Sequence, residues 1–243
     1  MNIVAIVQAR TGSTRFPNKV FSNLSGYPLI WHVFNRLKLS KYITKFILAT
    51  TTNPNDDSLE KWAIDNGITV FRGSENNVLS RFYYAGIEAK ADIVVRITAD
   101  DPFKDYTIID CVIEMLLNGK FDFAYNNNPP SFPEGLDTEV FTMEALKTAF
   151  QNSDSDFEKE HVTQYFYRNK GKFSQQNFEN DSNISYLRWT IDTELDFQMV
   201  SEVYNNLFKE SEIFLTQDIL NYLDKNPNLS SLNLNVKRSE MYK

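Results

Sequence analysis

Apolar residues in the first half of the chain fall into short unbroken runs separated by amphipathic stretches. Bounded by polar turns, these runs predict buried strands over Ile3–Gln8, Lys45–Thr50, Thr69–Phe71, Asp92–Thr98 and Phe121–Tyr125. The stretches between them predict helices from Tyr27-Pro28 to about Leu39 and over Asp56–Asn66, Asn77–Ala89 and Tyr106–Asn118, with Pro28 suited to a first helical turn. Strands apolar on both faces need helices on both sides, and strand–helix–strand repeats need right-handed crossovers. The expected class is α/β, a three-layer sandwich around a mostly parallel mixed sheet.

The second half is less regular. Asn126-Asn127-Asn128-Pro129-Pro130 marks a loop or hinge. Glu139–Thr142 is expected as a strand, with helices at Met143–Phe150, Phe157–Asn169 and Leu195–Phe208. Tyr186–Ile191 reads as a strand returning to the main sheet, and the polar tail from Asn226 as loosely packed. At 243 residues the chain is expected to be one domain, 1–243, with residues 126–180 as an inserted region inside it.

No apolar run approaches the roughly 18 residues that span a bilayer, so no membrane partner is expected. Met1 to Val7 lacks a basic flank and a cleavage site, and reads as a strand rather than a signal peptide. The single cysteine, Cys111, cannot form an internal disulfide, which suits a cytoplasmic setting, and its apolar helical surroundings assign it to the core.

Charge changes the picture. The net charge of −7 argues against a nucleic-acid partner, yet residues 1–55 carry seven basic side chains and no acid, leaving −14 on the remainder. Four of the seven, Arg36, Lys38, Lys41 and Lys45, read as solvated surface residues. The other three, Arg10, Arg15 and Lys19, lie in the loop after the first strand, interleaved with Thr11, Gly12, Ser13 and Thr14. Open α/β sheets bind ligands at the carboxyl ends of their strands. Small residues let backbone amides approach an anion, and arginine and lysine supply charge for phosphate oxygens. Such a loop suits a polyphosphate, although it matches neither Gly-x-x-x-x-Gly-Lys-Ser/Thr nor Gly-x-Gly-x-x-Gly.

The run from Ala9-Arg10 through Gly12-Ser13 and Arg15-Phe16-Pro17 to Lys19 closely resembles the opening motif of the CMP-Kdo and CMP-sialate synthetases, and most of all their SpsF-like relatives in polysaccharide synthesis. The resemblance spans about residues 3–200. It implies the nucleotide-diphospho-sugar transferase fold, related to GT-A, and transfer of CMP from CTP to an acidic or phosphorylated sugar-like acceptor with release of pyrophosphate. It further implies a Mg²⁺ cofactor and a possible homodimer through the inserted region. By the same resemblance Arg10 and Lys19 are catalytic, while Gln8, Ala9, Gly12, Ser13 and Arg15 bind the nucleotide.

Arg96-Ile97-Thr98-Ala99-Asp100-Asp101-Pro102 resembles the family's strand-end Gly-Asp-x-Pro. This makes Asp100 catalytic and a metal ligand, places Thr98 at the nucleotide, and leaves Asp101 as a variable position or helix cap. Asp192-Thr193-Glu194-Leu195-Asp196 resembles Asp-Thr-x-x-Asp, making Asp192 the second metal ligand or else a capping residue, with Asp196 serving the helix's first turn. Arg72-Gly73-Ser74 and the later Val78-Leu79-Ser80-Arg81 resemble a segment in which Arg72, Ser74 and Arg81 frame the nucleotide. Gly135-Leu136-Asp137-Thr138-Glu139-Val140 and Glu160-His161-Val162-Thr163 resemble acceptor-side segments, with Asp137, Glu139 and His161 as the contacts. His161 is equally readable as a structural hydrogen-bonder, and His32 as packing. Two other classes compete: a GT-A glycosyltransferase using a nucleotide sugar, and a noncatalytic nucleotide-binding relative.

Overall fold

Val4, Ala5, Ile6 and Val7 are completely excluded from solvent, the burial a strand acquires when both faces are covered. In the computed structural model, which describes residues 1–236, this strand is the middle of the parallel half of the main sheet. The strands are β1 (Ile3–Gln8), β2 (Asn23–Leu24), β3 (Tyr27–Pro28), β4 (Lys45–Thr51), β5 (Thr69–Gly73), β6 (Ile93–Thr98), β7 (Phe123–Tyr125), β8 (Glu139–Thr142) and β9 (Gln175–Asn177). Seven of them form one sheet in the order β5-β4-β1-β6-β8-β7-β9, while β2 and β3 pair separately. Neighbours from β5 to β6 are parallel, β8 runs antiparallel to both β6 and β7, and β9 is parallel to β7. The expected α/β class with a mostly parallel mixed sheet is thus the observed one.

The helices are α1 (Leu29–Leu37), α2 (Asp57–Asp65), α3 (Val78–Ala89), α4 (Tyr106–Gly119), α5 (Met143–Asn152), α6 (Asp156–His161), α7 (Gln164–Arg168), α8 (Glu194–Leu207), α9 (Thr216–Lys225) and α10 (Pro227–Ser231). Alternation along β1 splits the core in two. Ile3, Ala5 and Val7 pack with residues of α1, α2, α4, α8 and α9, while Val4 and Ile6 pack with residues of α3, α5 and α7. Each buried Val, Leu or Ile in these layers contributes about 1.5–3 kcal/mol from the apolar area removed from water. Register then sets the site. Gln8 lies level with Ala49 on one side and Thr98 on the other, so the loops after β1 and β6 leave the same edge side by side.

Several sequence expectations need correction. Tyr186–Ile191 adds no strand to the sheet; it makes only a bridge between Arg188 and Glu134, and β9 takes the edge instead. Its backbone is held against the turn at Gly135 (φ 110°), where a Cβ would lie 2.8 Å from the Trp189 carbonyl carbon. The helix expected over Phe157–Asn169 is two helices, α6 and α7, interrupted at Val162 with φ 55°. Pro28 is extended and caps α1 rather than entering its first turn. The stretch at Asn126 is pinned rather than loose: its side chain donates to Leu136 O (3.0 Å) and accepts from Thr138 N (2.7 Å).

Cys111 is exposed, on the outward side of α4. Arg36 is buried, donating to Phe214 O at 2.9 Å with its guanidinium 4.4 Å from the Phe214 ring centre. Helical spacing marks which residues share a face and does not reveal that a later segment will cover that face. His32 does pack: it sits among Trp31, Tyr204 and Phe208, bonded to Leu24 O at 2.8 Å, and burial pushes its pKa down to about 4. The tail from Asn226 includes α10 and a buried Asn233, so it is not loose; residues 237–243 of that tail lie outside the described residues.

Candidate active site

A cleft of about 660 Å³ opens at the carboxyl edge of β1 and β6. The loop after β1 is anchored from beneath by Asp56, which accepts from Thr11 N and Thr11 Oγ1, each at 2.8 Å, and from Thr51 Oγ1. Burial alone would raise the Asp56 pKa, but these donors stabilise its carboxylate and hold it below the ordinary value. The chain then turns through Asn18, in the left-handed region at φ 57°, and delivers Lys19 into the interior.

Lys19 is the hub. Its Nζ donates to Asp100 Oδ2 (2.7 Å), Asp192 Oδ1 (2.8 Å) and Ile191 O (2.7 Å), satisfying all three ammonium hydrogens. Burial works against the charge, but the two carboxylates outweigh it and hold the ammonium above its ordinary pKa. Asp192 shows the mirror effect: burial would raise it, whereas Lys19, Arg15 and Arg188 together hold it low.

Behind Asp192 stands a buried network. Arg188 donates from Nη2 to Asp192 Oδ2 (2.8 Å), from Nε to Asp196 Oδ1 (2.9 Å) and from Nη1 to Glu134 Oε2 (2.5 Å). Burial opposes the Arg188 charge, but these acids hold its pKa above the ordinary value. Asp196 caps α8 through a reciprocal pair with Thr193.

The arginines differ in exposure. Arg10 is half-exposed, with Glu75 at 3.4 Å, and Arg15 is likewise open, reaching Asp192 at 3.1 Å. Arg81 lies buried in the cleft wall, bonded to Ser74 O and Glu75 O, while its Nε has no hydrogen-bond partner among the described residues. Burial and the neighbouring Arg10 push the Arg81 pKa down to about 10.

Of the residues singled out from sequence, Gln8, Ala9, Arg10, Ser13, Arg15 and Lys19 line the cleft, as do Arg81, Thr98, Asp100, Asp137, His161 and Asp192. Gly12, Arg72, Ser74 and Glu139 are not among the lining residues. Arg72 is spent on Asp57, Glu60 and the carbonyls of Thr51 and Asn53. Ser74 accepts from Asn77 N and supports Arg81 through its carbonyl. Glu139 is buried against Arg96, Thr163 and Tyr167, behind the cleft wall. Asp101 is buried against Lys104 at 2.9 Å, and burial pushes its pKa up. His161 packs on Phe157, and burial holds its pKa below the ordinary value.

Sequence reasoning gave no role to Arg188, Arg96 or Glu134. A signal was present: Arg96 and Arg188 each interrupt an apolar run, and a charge at a buried position demands a partner.

A sheet edge carrying a cation-rich loop beside two carboxylates on one ammonium is suited to holding a polyphosphate, and likeness to known proteins gives the class, a nucleotidyltransferase. The chain belongs to the cytidylyltransferase family, whose model matches residues 4–240. It is 30% identical to the spore coat polysaccharide biosynthesis protein SpsF of Bacillus subtilis over 95% of this chain and 97% of the other. A solved cytidylyltransferase from Leptospira borgpetersenii superposes with a TM-score of 0.90 at 30% identity, covering 99% of this chain and all of the other. A CMP:2-keto-3-deoxy-manno-octonic acid synthetase solved with CTP shares the fold at a TM-score of 0.67 and 15% identity, covering 86% of this chain and 100% of that one. The resemblance carried by the first loop is borne out. No helix among the described residues is long and apolar enough to cross a membrane.

Proposed function

We propose that the chain transfers CMP from CTP to an acidic or phosphorylated sugar-like acceptor, releasing pyrophosphate, in the synthesis of a surface polysaccharide. The observation that carries this reading is the Lys19 ammonium held between Asp100 and Asp192 at the carboxyl edge of the sheet. The solved relative bound to CTP and the polysaccharide role in the Bacillus subtilis protein's name support the choice of nucleotide and pathway class.

In the reaction an acceptor oxygen attacks the α-phosphorus of CTP. A new O–P bond forms as the bond to the bridging pyrophosphate oxygen breaks, and the acceptor loses a proton. Arg10, Arg15 and the small-residue loop hold the triphosphate and take up charge growing on the leaving pyrophosphate. Arg81, buried beside Arg10, adds a cation to the same wall. His161 lines the cleft and, with its pKa held low, is neutral near pH 7 and able to accept the acceptor's proton.

The residues fit a Mg²⁺ ion. Asp100 and Asp192 already share one small cation, their oxygens are the hard ligands Mg²⁺ takes, and substrate phosphates commonly complete such a site. When bound, Mg²⁺ supplies charge neutralisation at the phosphates and acidifies the attacking oxygen.

Pyrophosphate release from CTP and other nucleoside triphosphates, screened against sugar acids and sugar phosphates with Mg²⁺ or with chelator, tests the reading. Release from CTP that needs both an acceptor and Mg²⁺ is the expected result. No release with any pairing, together with no CTP binding by calorimetry, would overturn it.

A further inference from the structure

We propose that Asn233, in the segment after α10, is a positioning residue for Asp192. The inference rests on the reading above only in that it takes Asp192 as a metal-holding carboxylate. Asn233 is 2% exposed although the sequence around it is polar. Its Nδ2 donates to Asp196 Oδ1 at 2.9 Å and to Arg188 O at 3.0 Å. These two bonds use both hydrogens of one amide nitrogen.

The two acceptors are the groups that fix Asp192. Asp196 Oδ2 accepts from the Asp192 backbone N–H at 3.0 Å and from Thr193 N at 2.9 Å, setting the main chain at the start of α8. Arg188 holds the Asp192 carboxylate itself at 2.8 Å and is bonded in turn to Asp196 Oδ1 at 2.9 Å. Asn233 therefore ties the residue that aims the Asp192 side chain to the residue that aims its backbone. Asp196 is fully buried, so no solvent replaces a lost donor there. Arg188 and Asp196 stand one layer behind the Asp192 carboxylate, where a loss typically costs about 10–100-fold in metal affinity or activity, and Asn233 stands one layer further back, so its loss should cost less.

Two near-isosteric changes test this in the full-length protein. Asn233→Leu removes both donors, and Asn233→Asp places a carboxylate against Asp196. CTP binding is measured by calorimetry with Mg²⁺ and again with chelator. The expected result is a loss of about threefold to tenfold in the Mg²⁺-dependent affinity of Asn233→Leu, a larger loss in Asn233→Asp, and unchanged metal-free CTP binding in both. A residue that merely supported the fold would weaken both modes together, and that result, or unchanged Mg²⁺-dependent binding, overturns the proposal. If leucine prevents folding, Asn233→Ser, with one donor in place of two, is read in the same direction. Crystal structures of the variants decide the case independently of metal. Loss of the Arg188–Asp192 contact supports the proposal and its retention overturns it, even if the wild type binds no CTP and the functional reading itself falls.

Discussion

The two walls of the cleft are built to opposite rules. On the loop side, Arg10 and Arg15 are half-exposed, and among the described residues Arg10 has only a long contact to Glu75. On the α8 side, Arg188, Glu134 and Asp196 are buried and multiply bonded. Exposed pairs of the first kind contribute about 0–1 kcal/mol and yield readily to an incoming anion. Buried pairs of the second kind add little net stability, yet breaking one leaves an uncompensated charge. The first wall can reorganise around a ligand, while the second is arranged before the ligand arrives. Lys19 belongs to the first by sequence and to the second by its bonds.

The largest effect is expected from breaking the rigid wall. Arg188→Met should cost about 3–5 kcal/mol of stability, because Glu134 and Asp196 lose a shared buried cation. Denaturant unfolding checks this, and a loss below 1 kcal/mol would mean the network is not stabilised by pairing. Next come the residues at the junction. Asp100→Ala or Lys19→Met should lose about 2–4 kcal/mol of transition-state stabilisation, read as kcat/KM in pyrophosphate release. Turnover like wild type in folded Asp100→Ala would remove Asp100 from the chemistry.

A pH titration sharpens the contrast further. The Asp192 pKa is held below its unfolded value, so the stability it adds is fully present above about pH 4 and lost as pH falls through the folded value. Asp192→Asn should lower stability near pH 7, where the carboxylate's contribution is fully present, and flatten the acid limb below about pH 4, so that the two proteins converge as pH falls. The smallest effect on stability belongs to the open wall: Arg10→Ala should change unfolding free energy by less than about 1 kcal/mol. It should nevertheless weaken CTP binding, and the deficit should shrink as salt is raised, because an exposed cation is screened.

Legibility followed the same divide. The parallel strands β1, β4 and β6 could be read because a strand covered on both faces must be a short apolar run, and β5 at the edge by its Thr-Val-Phe run. The loop after β1 could be read because its cations and small residues are contiguous. What could not be read depends on distant partners. Lys19 finds Asp192 across 173 positions and Arg188 finds Glu134 across 54, and no local pattern encodes either pairing. Tyr186–Ile191 looked like a strand because its apolar run resembles one, yet Arg188 within it is held by acids on three sides. Arg72 carried a persuasive motif, and the carboxylates of α2 claimed it instead. Asn233 sits as a polar position in the alternating run Leu232-Asn233-Leu234-Asn235-Val236, which gives no sign that it will be buried against Asp196 and Arg188.

The placement of Lys19 also bears on how the protein is made. Its two carboxylate partners are separated from it by 81 and 173 positions, so Asp192 is synthesised long after the lysine it pairs with. Contacts of such span are late events in folding. Until residue 192 has left the ribosome, the central strand can pair with β4 and β6, but the loop beside it carries a charge with only Asp100 to answer it. Completion of the site is therefore tied to translation through α8 and on to Asn233, whose amide braces Asp196 and Arg188.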